Sequence, residues 1–157
     1  MTYSWPEDRQ PERCPVASFN ELAIAAPVSQ VWAWLVRATR WPEFYDNARK
    51  VVIDGGIDDL TDGVTFRWTT FNLRVTTTIR EFVPERRLAW FGKGYGSSGY
   101  HSWTLEPAGD HCHVVTEETQ RGFLPSVARL YLRGALHRQH QMWLEGLARV
   151  ASSGPPS

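Results

Sequence analysis

Residues 122–150 repeat apolar side chains at helical spacing, and a rod of that length has to bury one face against something. The stretch opens Gly122-Phe123-Leu124-Pro125-Ser126. That string stops whatever precedes it and starts a helix, because Pro125 has a fixed φ and no N–H to lose in a first turn. The next proline is Pro155. At about 1.5 Å per residue the predicted helix runs on the order of 40 Å, enough to cross a small domain. Leu124, Ala128, Leu132, Ala135, Met142, Trp143, Gly146 and Val150 carry the stripe. Projected at about 100° per residue, its centre holds Ala128, Ala135, Gln139 and Gly146, with Leu132, Met142 and Trp143 to the sides. Small residues there either let the helix sit close on a sheet or leave room for something else. The second outcome needs a concave sheet.

The rest of the chain supplies strands. Residues 19–25 alternate apolar with small or polar groups, as a half-buried strand does. Ala26-Pro27-Val28 breaks that strand, and a helix follows with Val28, Val31, Trp32 and Leu35 on one face. A second short helix restarts at Trp41-Pro42, with Pro42 as its first residue. Strands then follow at 51–54, 64–71, 73–83, 88–91, 100–106 and 114–120, separated by Gly55-Gly56, Asp62-Gly63, Pro84-Glu85 and Gly109-Asp110. Consecutive strands with short turns pair as a meander, with one dry and one wet face. The long helix must bury its stripe on the dry face. The fold class is therefore α+β: a curved antiparallel sheet of about seven strands around a long C-terminal helix, with two short helices after the first strand. Residues 1–15, with three prolines, read as a poorly ordered leader, 16–151 as one domain and 152–157 as a flexible tail.

A chain of 157 residues is long enough for one sizeable core. Seventeen basic against seventeen acidic side chains give zero formal charge, which argues against nucleic acid as a partner. No apolar run approaches a membrane span, and the N-terminus shows no secretory pattern. Cys14 and Cys112 do not make a disulfide scaffold. A cytoplasmic protein without an integral membrane segment, monomer or homodimer, is the expectation. The excess lies in aromatics, with eight Trp, seven Phe and five Tyr, which can line a core or a pocket.

Several strings occur in a characteristic order: Phe66-Arg67-Trp68; residues 81–90, Glu-Phe-Val-Pro-Glu-Arg-Arg-Leu-Ala-Trp; His101-Ser102-Trp103; Thr116-Glu117-Glu118 ahead of Gly122; and Trp143-Leu144 in the last helix. Together they resemble the START-like helix-grip superfamily, also called SRPBCC, and within it the polyketide cyclase/dehydrase and lipid-transport branch. The resemblance spans roughly residues 16–150. It implies an apolar cavity for a small hydrophobic molecule such as a lipid, polyketide or sterol. It implies no single activity, because the fold carries transporters, enzymes and regulatory subunits alike.

The candidate chemistry lies on the last two strands. In a tight hairpin through Gly109-Asp110, Leu105 faces Val114, Trp103 faces Thr116 and His101 faces Glu118. Leu105, Trp103 and Val114 are apolar, so that register turns His101 and Glu118 inward side by side. A slip of one residue turns Glu117 inward instead. A His–carboxylate pair in an apolar cavity either anchors a polar head group or moves a proton, as general acid and base. The alternative is a structural hydrogen-bonded pair. Gln139, the lone polar residue at the centre of the helix stripe, can serve a ligand or the core. Trp68, Thr70, Thr77, Trp90, Trp103 and Thr116 are candidate walls on the sheet, and Leu132, Ala135 and Trp143 on the helix.

Other motifs lead elsewhere. Gly94-Tyr95-Gly96-Ser97-Ser98-Gly99 fits G-x-G-x-x-G, but a strand follows it where a dinucleotide site needs a helix. It reads as a hairpin loop and a candidate piece of the cavity rim. His137 and His140, and His111 and His113 around Cys112, lack zinc-site spacing and read as surface histidines, so no metal and no cofactor is expected. Three roles fit: a protein that binds a small hydrophobic molecule, a cyclase, aromatase or dehydratase using His101 and Glu118, and a non-catalytic interaction module whose cavity is only a core.

Overall fold

A computed structural model describes residues 3–157; the first two residues of the leader lie outside the described residues. In chain order it contains β1 (Val16–Ile24), α1 (Val28–Val36), a 3-10 segment (Ala38–Glu43), β2 (Arg49–Ile53), β3 (Thr65–Thr70), β4 (Leu73–Val83), β5 (Arg87–Gly94), β6 (Ser97–Ala108), β7 (His111–Arg121), α2 (Phe123–Val127) and α3 (Arg129–Ala151). The seven strands form one sheet in the order β1-β7-β6-β5-β4-β3-β2. Strands β2 to β7 are the expected meander, and β1 pairs antiparallel with β7 at the far edge. Register shifts between Ile79 and Glu81 in β4 and between Arg49 and Val52 in β2 mark where the pairing is irregular. Such irregularities bend a strand and increase its twist, which helps the sheet curl toward α3.

The long helix differs from its expected form in two ways. It is broken at Ala128 (φ −110°, ψ 21°), so the 23-residue α3 is preceded by the five-residue α2. The Leu124 N–H donates to the Gly96 carbonyl at 3.0 Å, which ties α2 to the β5–β6 turn and sets its direction apart from α3. The buried face is also turned relative to the expected stripe: beside the expected Ala135, Trp143 and Gly146 it carries Leu136, His140, Leu144, Leu147 and Ala151, whereas Gln139 sits on its flank. Gly146 is buried for a different reason than a cavity: a Cβ there would stand 2.1 Å from the Phe44 carbonyl oxygen. Its small size permits a close backbone approach, the first of the two roles open to small residues in the stripe.

The described part of the leader and the tail both pack on the domain. The Arg9 guanidinium donates to the Ser98 side chain at 3.1 Å, and the Thr119 hydroxyl donates to the Arg9 carbonyl at 2.9 Å. Tyr3 lies under the buried Arg87 guanidinium, 4.7 Å from ring centroid to carbon, and Trp5 packs on Tyr100. The leader expected to be poorly ordered therefore runs across the sheet face expected to be wet. It covers the ion pair of Arg87 with Glu81 (2.8 Å). At the other end the Trp34 indole donates to the Gly154 carbonyl at 2.7 Å, and Arg40 donates to the Ser157 hydroxyl at 3.3 Å. Those bonds hold the tail expected to be flexible. Cys14 and Cys112 are both free thiols.

Between sheet and α3 the aromatic excess does two jobs. Trp41 meets Trp68, Trp90 and Trp143 at centroid distances of 5.4, 5.6 and 5.0 Å. Trp103 packs edge-on to Trp143 at 5.0 Å, and Tyr45 stacks on it at 4.4 Å. Such pairs add about 0.5–1.5 kcal/mol each beyond the area they bury. This cluster fills one end of the grip, and the other end is open.

Candidate functional site

The opening follows from side-chain size along the inner face. Cross-strand register places Leu88 against Trp103, Trp90 against His101, Gly92 against Gly99 and Gly94 against Ser97. Going toward the β5–β6 turn, the inward side chains thus shrink from indole and isobutyl to nothing. The space left is a cavity of about 120 Å³. Trp68, Thr70, Leu73, Val75, Thr77 and Trp90 line one side, and Leu132, Leu136, His140 and Trp143 line the other, with Leu124 of α2 at the rim. Phe71, in the β3–β4 turn, also lines it. That residue adopts φ 49°, an uncommon conformation for an aromatic residue. Its N–H is fixed by a 2.7 Å bond to the Asn47 amide oxygen.

Polar groups converge at the inner end. His101 pairs with Glu118 across β6 and β7, in the expected register, and Trp103 with Thr116. The His101 Nδ1 lies 3.3 Å from Glu118 Oε2. A third member comes from α3: His140 Nε2 stands 3.0 Å from the same oxygen. His140 is 2 % exposed, so the expectation of a surface histidine fails. It sits directly over Glu118, where a buried imidazole finds an acceptor. The two imidazoles stack, 4.5 Å apart and 24° from parallel. Their far nitrogens are also occupied. His101 Nε2 is 2.7 Å from the Thr116 hydroxyl, and His140 Nδ1 is 3.0 Å from the Ser18 hydroxyl. The Gln120 amide donates to Glu118 at 2.9 Å. The near nitrogens of both imidazoles thus flank one carboxylate oxygen, and each far nitrogen meets a hydroxyl.

Burial sets the charge states. It pushes His101 down to about 3, reinforced by His140 and opposed by Glu118, so the ring is neutral near pH 7. Burial also pushes the Glu118 carboxyl up, but His101, His140 and Gln120 together outweigh it and hold the group below its ordinary value. The site therefore holds a desolvated carboxylate between two imidazoles at the end of an apolar space. Glu117, the alternative inward residue, is on the opposite face, where burial raises its pKa against the pull of Arg87.

Of the sequence-predicted residues, Trp68, Thr70, Thr77, Trp90, His101, Glu118, Leu132 and Trp143 line the cavity. Trp103 is fully buried in the aromatic cluster and Thr116 stands behind His101, so neither does. Ala135 is buried away from the cavity and Gln139 lies on the helix flank. The reading from sequence missed His140, Ser18 and Gly92. Gly94, Ser97, Ser98 and Gly99, expected as part of the rim, do line the cavity, although Gly94 and Ser97–Gly99 belong to strands. Gly99 also gives Glu118 its place, because a Cβ there would lie 2.8 Å from Glu118 Oε1. Gly99→Ala is expected to displace that carboxylate, moving the His101 and His140 ring resonances in NMR spectra and costing about 1 kcal/mol of stability. Unchanged ring resonances would count against the contact.

Comparison with known proteins agrees with this architecture. Solved structures with the same fold include a hypothetical protein of Helicobacter pylori, 25% identical, covering 96% of each chain with a TM-score of 0.89. A protein of Thermus thermophilus is 16% identical, covers 87% of this chain and 97% of its own, and has a TM-score of 0.74. The Zhui aromatase/cyclase of a Streptomyces species is 14% identical, covers 89% of this chain and 98% of its own, and has a TM-score of 0.71. A comparison with curated proteins finds no match. Among the described residues no helix is long and apolar enough to cross a membrane. Residues 20–152 match the profile described as polyketide cyclase / dehydrase and lipid transport, and with its helix-grip sheet the chain belongs to that START-like family.

Proposed function

We propose that the protein binds a small, mainly apolar organic molecule between the sheet and α3, with the one polar group of that molecule against the His101–Glu118–His140 cluster. The observation that carries this reading is the pairing of an apolar cavity of about 120 Å³ with a buried, charged polar cluster at its end. Cavities of about 150 Å³ hold a benzene-sized guest, so the space of about 120 Å³ encloses at most one ring, a second fused ring has to reach out through the open end, and a sterol is too large. Trp143 adds a second point of contact, since its buried indole N–H has no partner among the described residues. A guest burying about 250 Å² of apolar surface gains roughly 6 kcal/mol. A hydroxyl donating to Glu118 adds to that and ordering subtracts, which puts Kd on the order of 100 μM.

The test uses 2-naphthol, a fused-ring phenol, titrated calorimetrically into the chelator-treated protein. One site per chain is expected, and Leu132→Trp, which fills the cavity from its helix side, should weaken it at least about tenfold. Equal affinity in that variant would remove the cavity from the account.

A second reading is favoured by one observation, the ionised Glu118 held out of water by two imidazoles. In a cyclase of the kind found among the structural neighbours, Glu118 would take a proton from the carbon beside a carbonyl. The carbanion closes a ring on a second carbonyl, and the proton passes from Glu118 through an adjacent imidazole, which gives up one proton as it takes another, to the alkoxide formed. Glu118→Gln should then bind a polyketide-like substrate within about tenfold of the parent while its turnover falls by roughly 10²-fold or more. Full turnover in that variant would exclude Glu118 as the base.

A further inference from the structure

We infer that His101, Glu118 and His140 form a binding site for a divalent first-row transition ion, of the Zn²⁺ type, with a free coordination position facing the cavity. Two imidazole nitrogens and one carboxylate oxygen are a donor set that such ions take, and an open fourth position is how protein sites present an ion to a guest. The distances fit. His101 Nδ1 and His140 Nε2 stand 3.3 and 3.0 Å from the same Glu118 oxygen. A tetrahedral ion with bonds of about 2.0–2.1 Å separates its ligand atoms by about 3.3 Å. All three donor atoms lie within 4.8 Å of one another.

The supporting shell is present too. Each ring is fixed through its far nitrogen, His101 by the Thr116 hydroxyl and His140 by the Ser18 hydroxyl. Gln120 holds the other carboxylate oxygen. Such partners orient metal-binding imidazoles and carboxylates. The near-parallel stack of the rings, 24° apart, has to open slightly so that both lone pairs meet at one point. No linear motif encodes the site, because its members come from β6, β7 and α3. The inference is independent of the organic guest. The naphthol titration is run with chelator, so one result can fail while the other stands.

The experiment titrates Co²⁺ into chelator-treated protein and follows its visible absorption, then displaces it with Zn²⁺. One ion per chain with the intense bands of a four- or five-coordinate site is expected. Glu118→Gln and His140→Ala, each checked for folding by circular dichroism, should abolish those bands. Ser18→Ala should weaken binding about tenfold, and His111→Ala, at the exposed β6–β7 turn, should leave it unchanged. Because a triad variant can fail to fold, imidazole NMR spectra of the unmodified protein give a second readout: Zn²⁺ should shift His101 and His140. Absence of the Co²⁺ bands, bands retained in folded Glu118→Gln, or shifts confined to His111 and His113 would each overturn the inference.

Discussion

Gly146→Ala is expected to lower the stability of the protein by about 3 kcal/mol, a fall in thermal midpoint on the order of 10 °C for a chain of this size. An added methyl at this position would lie 2.1 Å from the Phe44 carbonyl oxygen and 3.4 Å from the Phe44 ring. The obstacle is backbone, so it cannot move aside as a side-chain tip does. Relief requires shifting α3 against the segment that carries Phe44 and Tyr45, and Tyr45 is stacked on Trp143 at 4.4 Å. The strain therefore reaches the aromatic cluster. Gly134→Ala, in the same helix, supplies the contrast. Its methyl would meet only the tip of Arg138, at 3.4 Å. There the usual helical preference for alanine should act alone and raise stability by up to about 1 kcal/mol. Two glycine-to-alanine changes in one helix should thus move the midpoint in opposite directions. A Gly146→Ala protein as stable as its parent would mean that helix and loop are not in that contact.

Acidification should produce the other large effect. His101 in the folded protein titrates near 3 against an ordinary value of 6.5. Between those values the unfolded chain binds the proton and the folded one does not, so stability falls as pH falls, by up to about 1.4 kcal/mol per pH unit. Above pH 6.5 both states are neutral and His101 contributes no slope. The Glu118 carboxyl, held below its ordinary 4.5, acts with the same sign: its contribution is present above that value and is lost as pH falls further. Together they should remove about 3 kcal/mol between neutral pH and about pH 4. Urea midpoints measured across that range in the presence of chelator test this. His101→Gln should flatten the upper part of the window, and a parent protein equally stable at both ends would contradict the burial of His101.

Much of this was readable from the residues because the informative features are local. The β6–β7 register follows from one tight turn at Gly109-Asp110 and the alternation of Leu105, Trp103, Val114 and Thr116, and it placed His101 beside Glu118. The helix face was harder. A projection ranks residues by apolarity, and on that basis His140 belongs outside and Ala135 and Gly146 at the centre. What brings His140 inside is a carboxylate on β7, more than twenty residues away along the chain. Gly146 is small because of Phe44, about a hundred residues earlier. Neither partner can be inferred from helical periodicity. The leader's partners are hidden for a related reason: its prolines and charges give no sign of the acceptor and cation that Arg9 and Tyr3 meet on the outer sheet face. The cavity follows from Gly92, Gly94 and Gly99 on facing strands, a pairing that the glycine-rich string from Gly94 to Gly99 does not display.

The central claim is that the space between sheet and helix receives a guest whose polar end meets the His–Glu–His cluster. Intermolecular proton contacts in NMR spectra of the protein with 2-naphthol test it most directly. The account predicts contacts from the rings to Trp68, Trp90 and Leu136, with the hydroxyl end next to His140. Contacts confined to the outer surface, or rings held with their hydroxyl toward Leu124 at the rim, would contradict it.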